Sequence, residues 1–167
     1  LGENVCVAVF DGGPQEDYKE HFRRADAHFT EALRIATAIN NATLRNAALG
    51  GRASARAYLG RWAGASQDAA LVPTGFTYNA LYSLNTPREN NDLAFETYSR
   101  REYTVFNTQW ARVFKDPRVP WDTIRTSSGG IQRGQDGRTN FFRQAKYPAL
   151  DSDIPLAKGT EMLLIRA

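Results

Sequence analysis

Cysteine, methionine and histidine are scarce in this chain, with one Cys, one Met and two His among 167 residues. The lone Cys6 rules out an internal disulfide, and two histidines are too few for a metal cage of Cys and His. Cys6 itself reads as a small buried apolar residue. His21 and His28 lie two turns apart on one helix, about 10 Å by helical rise, too far to share a metal directly. Both read as solvent-facing or partly packed. Apolar runs are short too: none approaches the ~20 residues needed to cross a bilayer, so no transmembrane helix is expected. Excess charge is small, at +3 from 21 basic and 18 acidic residues scattered along the chain, which argues only weakly for nucleic acid. Residues 1–10 lack the basic start and small-residue cleavage site of a signal peptide. Glu3 stands where a lipoprotein signal needs an apolar residue before its Cys, so any export signal is expected upstream.

Catalytic signatures are missing as well. There is no Gly-x-Ser-x-Gly elbow and no His-Glu-x-x-His helix. The Gly-rich stretch "SSGGIQRGQDG" lacks the phosphate-loop pattern and has no strong helix after it, so exposed turn is the better reading. Carboxylates occur at Asp151 and Asp153 and at Asp116, Asp122 and Asp136. Glycoside hydrolysis needs two of them held ~5 to 9 Å apart across a sugar, which spacing along the chain does not establish. An enzyme is therefore the minority reading, and no cofactor is expected.

What is present is a helical first half. Hydrophobic content of 42 % is ample for a core in a domain of this length. After the turn residues "DGGP", a helix is predicted from about Gln15 to Ile39, because Phe22, Ala25, Phe29, Ala32, Leu33 and Ala36 recur every three or four residues. "NNAT" makes a tight connection to a second helix from about Ala42 to Leu59. Its narrow stripe of Leu44, Ala48, Gly51, Ala55 and Tyr58 lets a neighbour approach closely, as in an antiparallel hairpin. A third helix spans about Trp62 to Leu71, with Trp62, Ala65 and Ala69 on one face, and Pro73 forbids its continuation. Leu49, Ala53, Gly60, Trp62 and Ala65 fall at the spacing of a tetratricopeptide unit. Arg52 and Arg56 stand where that repeat prefers apolar side chains.

After Pro73 the pattern changes. Residues 74–95 read as loop with a short strand. "ETYSRREYTVFNTQWARVF" fits either alternation at Tyr103, Val105 and Phe106 or a helical turn around Trp110 and Val113. Residues 125–140 form a long Gly-rich loop. Aromatics crowd this half, among them Phe76, Tyr78, Tyr103, Phe106, Phe141, Phe142 and Tyr147, many beside Asn, Gln, Arg or Asp. Flat rings beside polar planar groups suit carbohydrate, since a pyranose stacks its C–H face on a ring while its hydroxyls bond to the polar groups. Trp110, Trp121, Tyr82 and Tyr98 have the most polar loop settings and are the candidate ligand-binding residues.

Four stretches resemble, in order, the SusD/RagB-like glycan-binding lipoproteins of bacterial outer membranes. "AHFTEALRIA" is similar to the family's helix ahead of its repeat-like pair, and "AALGGRASARAYLGRWAGASQDAALVP" to the pair itself. "DPRVP" is similar to a segment in the middle of these proteins. "KYPALDSDIPLAKGTEMLLIRA" resembles the Lys-Tyr stretch that leads through Ile-Pro-Leu into a Glu-x-x-Leu-Ile-x-Ala helix, with Lys158 where many members have Arg. The resemblance implies a mainly α protein of tetratricopeptide-like helical hairpins, an α-α superhelix, carrying a long loop-rich region. It implies one domain over residues 1–167, incomplete at both ends. Residues 15–72 would be scaffold, and 73–167 a ligand-binding part ending in a truncated scaffold helix.

It further implies lipid anchoring upstream of residue 1, at the cell-surface side of the outer membrane. The partners would be a SusC-like TonB-dependent transporter and the oligosaccharide passed to it. Cys6 does not match the anchor cysteine, and sugar contacts vary so widely in the family that none transfers to a residue here. The other reading of the helical half is a tetratricopeptide-type scaffold for a protein partner. The final "TEMLLIRA" is expected to open a helix whose Met162 to Ile165 are covered, by the helical hairpin or by a neighbouring copy.

Overall fold

The computed structural model of the chain describes residues 16–112 and 116–167. Cys6, the helix start expected at Gln15, and Val113 lie outside them. The described residues are mainly α, with a little sheet. They divide into two units, one formed by residues up to Tyr78 together with Leu156–Ala167, the other by Asn79–Pro155.

In the first unit, helices α1 (Tyr18–Ala38) and α2 (Ala42–Tyr58) are joined by adjacent asparagines with opposite tasks. Asn40 takes φ +52°, and the amides of Asn40 and Asn41 reach back to the carbonyls of Thr37 and Ala36 at 3.1 and 2.9 Å. This pattern satisfies the orphan carbonyls at a helix end. Asn41 then caps α2, its side chain accepting from the Leu44 amide at 3.0 Å. Phe22, early in α1, stacks on Tyr58 at the end of α2 with centroids 4.6 Å apart, so the pair is antiparallel. Gly51 is the point of closest approach, where a Cβ would lie 2.3 Å from the Phe29 ring. Gly60, at φ +73°, closes α2 with the same two-bond pattern, Arg61 to Arg56 and Gly60 to Ala57, both 2.9 Å. It turns the chain into α3 (Trp62–Ala70).

The core of this unit is Leu49, Ala53, Ala69, Val72 and Met162, flanked by Leu33, Phe76 and Ile165. Burying a residue such as Leu49 or Met162 contributes about 1.5–3 kcal/mol. The expected small-residue stripe of α2 is only partly the buried one. Ala48 and Ala55 are buried, but Leu44 and Tyr58 are exposed, and Leu49, Gly50 and Ala53 take the inner positions. Trp62 is likewise exposed. Arg52 and Arg56 depart from the repeat pattern for a visible reason. Arg52 bonds Asp68 through Nε and Nη2 at 2.8 and 2.7 Å, and Arg56 bridges Asp68 and Asp26 at 2.8 and 2.9 Å. Arg61 reaches Asp26 at 2.7 Å. Asp68 is buried, so three helices share one ionic cross-link in place of apolar contacts at those positions. The Asp68 carboxylate holds Arg52 above the ordinary arginine range.

The last helix, α6 (Gly159–Arg166), packs on α3 and α2. Gly159 is required there, because a Cβ would fall 2.1 Å from the Pro73 carbonyl oxygen, and its amide bonds the Phe76 carbonyl at 2.8 Å. Cover over Met162 to Ile165 is less than expected. Met162 is buried and Ile165 half-buried, whereas Leu163 and Leu164 are exposed. A run apolar on all sides can turn only one face of a helix inward.

The second unit has little regular structure. The loop expected over residues 74–95 does hold a short strand, β1 (Thr77–Ala80), which pairs with β4 (Ile154–Lys158). It also holds a helical turn at Pro87–Glu89 and the start of α4 (Asp92–Ala94), continued by a π turn over Phe95–Ser99. These turns are too short to show a period, so the sequence pattern misses them. Asn91 anchors α4 and is fully buried. Its Oδ1 accepts from Ala94 N at 3.1 Å, its Nδ2 donates to the Ser152 carbonyl at 2.6 Å, and its amide donates to the Leu150 carbonyl at 2.6 Å. Of the two readings of the following stretch, a turn of helix forms, α5 (Gln109–Arg112).

Strands β2 (Trp121–Thr123) and β3 (Phe142–Gln144) pair antiparallel, with Trp121 opposite Gln144 and Asp122 opposite Arg143. The Gly-rich loop between them is ordered by bridges Arg125 to Ile131 and Arg133 to Asn140. Asp136 fastens its tip, accepting from the amides of Arg138 and Thr139 and from the Thr139 hydroxyl.

Candidate functional site

Each unit carries a cavity of ligand size. In the second unit a cleft of about 350 Å³ is lined by Leu93, Thr97, Tyr103, Thr104, Val105, Arg118, Val119, Pro120, Gln144, Lys146 and Tyr147. Four chain segments meet there, and a few side chains fix their ends. Gln144 closes β3: its Oε1 accepts from the amides of Lys146 and Tyr147, both at 2.8 Å, and its Nε2 donates to the Tyr147 carbonyl at 2.6 Å and Thr97 Oγ1 at 3.2 Å. This folds residues 145–147 back on β3 and sets both Lys146 and Tyr147. Thr104 Oγ1 accepts from Phe142 N at 2.9 Å and Phe106 N at 3.1 Å, which positions the segment bearing Tyr103.

Arg118 is held by Asp116 through Nε at 2.9 Å and Nη2 at 2.6 Å. The Asp116 carboxylate also takes the Arg118 amide at 2.8 Å. These bonds pull its pKa down to about 2, so it is charged throughout the neutral range. Nη1 of Arg118 takes no part in that pairing. Lys146 Nζ lies 5.5 Å from the Tyr147 ring centroid. Tyr103 is 64 % exposed, so one aromatic face of the cleft is open to a ligand.

None of Trp110, Trp121, Tyr82 and Tyr98 lines this cleft, but two of them adjoin it. Trp121 pairs with Gln144 across the sheet and stacks on Phe142, centroids 4.7 Å apart. The Tyr98 hydroxyl donates to the Gln144 carbonyl at 2.8 Å, while Arg143 lies over its ring at 4.7 Å. Burial pushes the Tyr98 phenol up. Tyr82 lies elsewhere, its amide donating to Asp153 at 3.1 Å, and Trp110 is part-exposed on α5, with contacts of its own. Arg118 and Lys146 stand in two of the family-like stretches but were not among the candidate ligand-binding residues. The available signal for Arg118 was "DPR", in which an Asp before Pro bonds the backbone two residues on and presents the Arg.

Of the carboxylates singled out in the sequence, all but the exposed Asp151 are occupied structurally. Asp122 pairs with Arg143, Asp136 holds its loop and is pulled down to about 2 by the Thr139 hydroxyl and two amides, and Asp153 takes the Tyr82 amide. A pair not expected from the sequence does meet. The neighbouring Glu96 carboxylate pushes the Glu102 carboxyl up, with Arg100 paired to both, yet neither glutamate lines the cleft. Among the described residues no group of three or more His, Cys, Asp or Glu is placed to hold a metal ion. Among them, too, no helix is long and apolar enough to cross a membrane.

The first unit's cavity, about 490 Å³, is an apolar groove between α1 and α2 lined by residues such as Phe29, Ile35, Leu44, Tyr78 and Leu156. It offers bulk without the polar groups that orient a sugar. Comparison with protein-family models, with curated proteins and with solved structures finds no match.

Proposed function

We propose that the chain is a SusD/RagB-like surface nutrient-binding protein, a bacterial lipoprotein at the cell-surface side of the outer membrane. It captures oligosaccharides and passes them to a TonB-dependent transporter of SusC type, without catalysis. The observation that carries this reading is the tyrosine cleft, where Tyr103 and Tyr147 stand beside Arg118 and Lys146. Rings give a sugar a stacking face, and fixed polar groups give its hydroxyls partners. The ordered set of family-like motifs supports it as well. The α2–α3 pair, with its Gly60 bend, suits a tetratricopeptide-like unit of an α-α superhelix. Trp121 and Tyr98 act behind the cleft, bracing Gln144, and are not its contact surface.

The test is calorimetric titration of soluble polysaccharides and oligosaccharides against the protein and its Tyr103→Ala and Tyr147→Ala variants. Saturable binding that both substitutions weaken by about tenfold is the expected result, since an aromatic face in a binding site is worth roughly 1–3 kcal/mol. Turnover of any glycan by the pure protein would sink the non-catalytic reading. One observation favours a second reading. The apolar groove on α1 and α2 has the character of a helix-binding groove, so a tetratricopeptide-type interaction scaffold predicts capture of an amphipathic peptide, lost on Ile35→Asp, with no glycan bound.

A further inference from the structure

We propose that the tyrosine cleft takes an acidic saccharide, a sugar chain bearing uronate carboxylates, in preference to a neutral one. This rests on the glycan reading above and deepens it. Both charged side chains in the lining are cations, Arg118 and Lys146, and no Asp or Glu is among the lining residues. Neutral sugars are held largely through acceptors for their hydroxyl protons, and here the amide and threonine acceptors of the lining are spent. The Gln144 amide is engaged at both ends by the protein itself. Thr97 Oγ1 accepts from Gln144 and donates to the Leu93 carbonyl at 2.5 Å. Thr104 Oγ1 accepts from two backbone amides.

What remains is donor-rich. Asp116 engages Nε and Nη2 of Arg118 and leaves Nη1, so the guanidinium is pinned with one edge to spare. Asp116 also offsets much of its charge, leaving Lys146 as the main source of attraction. Two cationic side chains in one lining suit a carboxylate, with the pyranose ring against tyrosine. A volume of about 350 Å³ lies at the small end of the ~300–1,000 Å³ typical of ligand clefts, so the ligand is a short segment of chain.

The test compares, by calorimetry, short oligogalacturonate and oligoglucuronate with their own methyl esters, which keep the backbone and remove the charge. A sulfated galactan oligosaccharide and polyglutamate complete the panel. The acid forms are expected to bind at least about tenfold tighter than the esters, as for a hydrogen-bonded charge, with the advantage shrinking at high salt. Lys146→Met and Arg118→Gln, both on exposed side chains, should bring the acids to the level of the esters, whereas Tyr147→Ala should weaken acid and ester alike. Esters that bind as tightly as acids overturn the charge assignment and leave the glycan reading standing. Tighter binding of the sulfated oligosaccharide than of either uronate overturns the carboxylate in favour of sulfate. Polyglutamate binding as tightly as the uronates marks a general anion surface and overturns the proposal, and failure of every saccharide to bind removes both readings.

Discussion

The two units are held in shape by different means. In the first, helices with a clear period bury a small core of Leu49, Ala53, Ala69, Val72 and Met162, and the arginines of α2 tie α1 to α3 through Asp26 and Asp68. In the second, Phe141 is the largest fully buried apolar side chain. Much of the remaining order comes from single polar side chains that serve several backbone groups at once: Asn91, Thr104, Gln144 and Asp136. Backbone that forms no helix or ladder must still satisfy its donors and acceptors, and side chains do so here. A binding surface made of such segments can differ in shape without disturbing a periodic scaffold.

The sharpest way to break this contrast is to remove its ionic half. Asp68→Ala strands Arg52 with little solvent and leaves Arg56 only Asp26, and should cost about 3 kcal/mol, the low end for a broken buried pair because the arginines keep some water contact. Urea unfolding with amide-exchange readout should locate the loss in α1 to α3. Unchanged protection there would mean the arginines are passengers. Next comes Asn91→Ala, which leaves the Ala94 amide and the Ser152 carbonyl without their side-chain partners and should cost about 2 kcal/mol. Its loss of exchange protection should fall on Asp92–Ser99 and residues 150–152, and spread over α1–α2 instead would erase the distinction between the units.

The smallest effect is with acid. Asp116 and Asp136 are depressed from 3.8 to about 2. Their contribution is fully present above the unfolded value and is lost as pH falls through the folded one, in a window from about pH 4 down to about 2. Amide shifts of Arg118, Arg138 and Thr139 should follow that titration while α2 resonances stay fixed. A midpoint near 4 would show these turns to be loose.

This contrast also explains what could be read in advance. Helix α1 starts three residues after the predicted Gln15, and the other ends of the first three helices fall within a residue of prediction, because hydrophobic period, the two asparagines and Gly60 all act locally. Which α2 residues face inward was only partly legible, since Arg52 and Arg56 find their carboxylates 12 to 30 residues away. The cleft was legible only in its materials. Tyr103 and Tyr147 belong to the aromatic set noted at the outset, but their meeting depends on Gln144 bonding the Thr97 hydroxyl and on Thr104 bonding the Asn140 and Phe142 backbone, far along the chain, which no period records. Trp121 and Tyr98 have the polar neighbours expected of ligand contacts, yet those neighbours are strand and guanidinium partners.

The close approach of Gly51 to Phe29 has a consequence for the chain's history. The ring occupies the volume that any side chain at 51 would need, so the two positions constitute a single inherited choice written at two sites 22 residues apart. Among descendants of this sequence, a residue larger than glycine at 51 should arrive together with a smaller one at 29, and a change at either position alone should be rare.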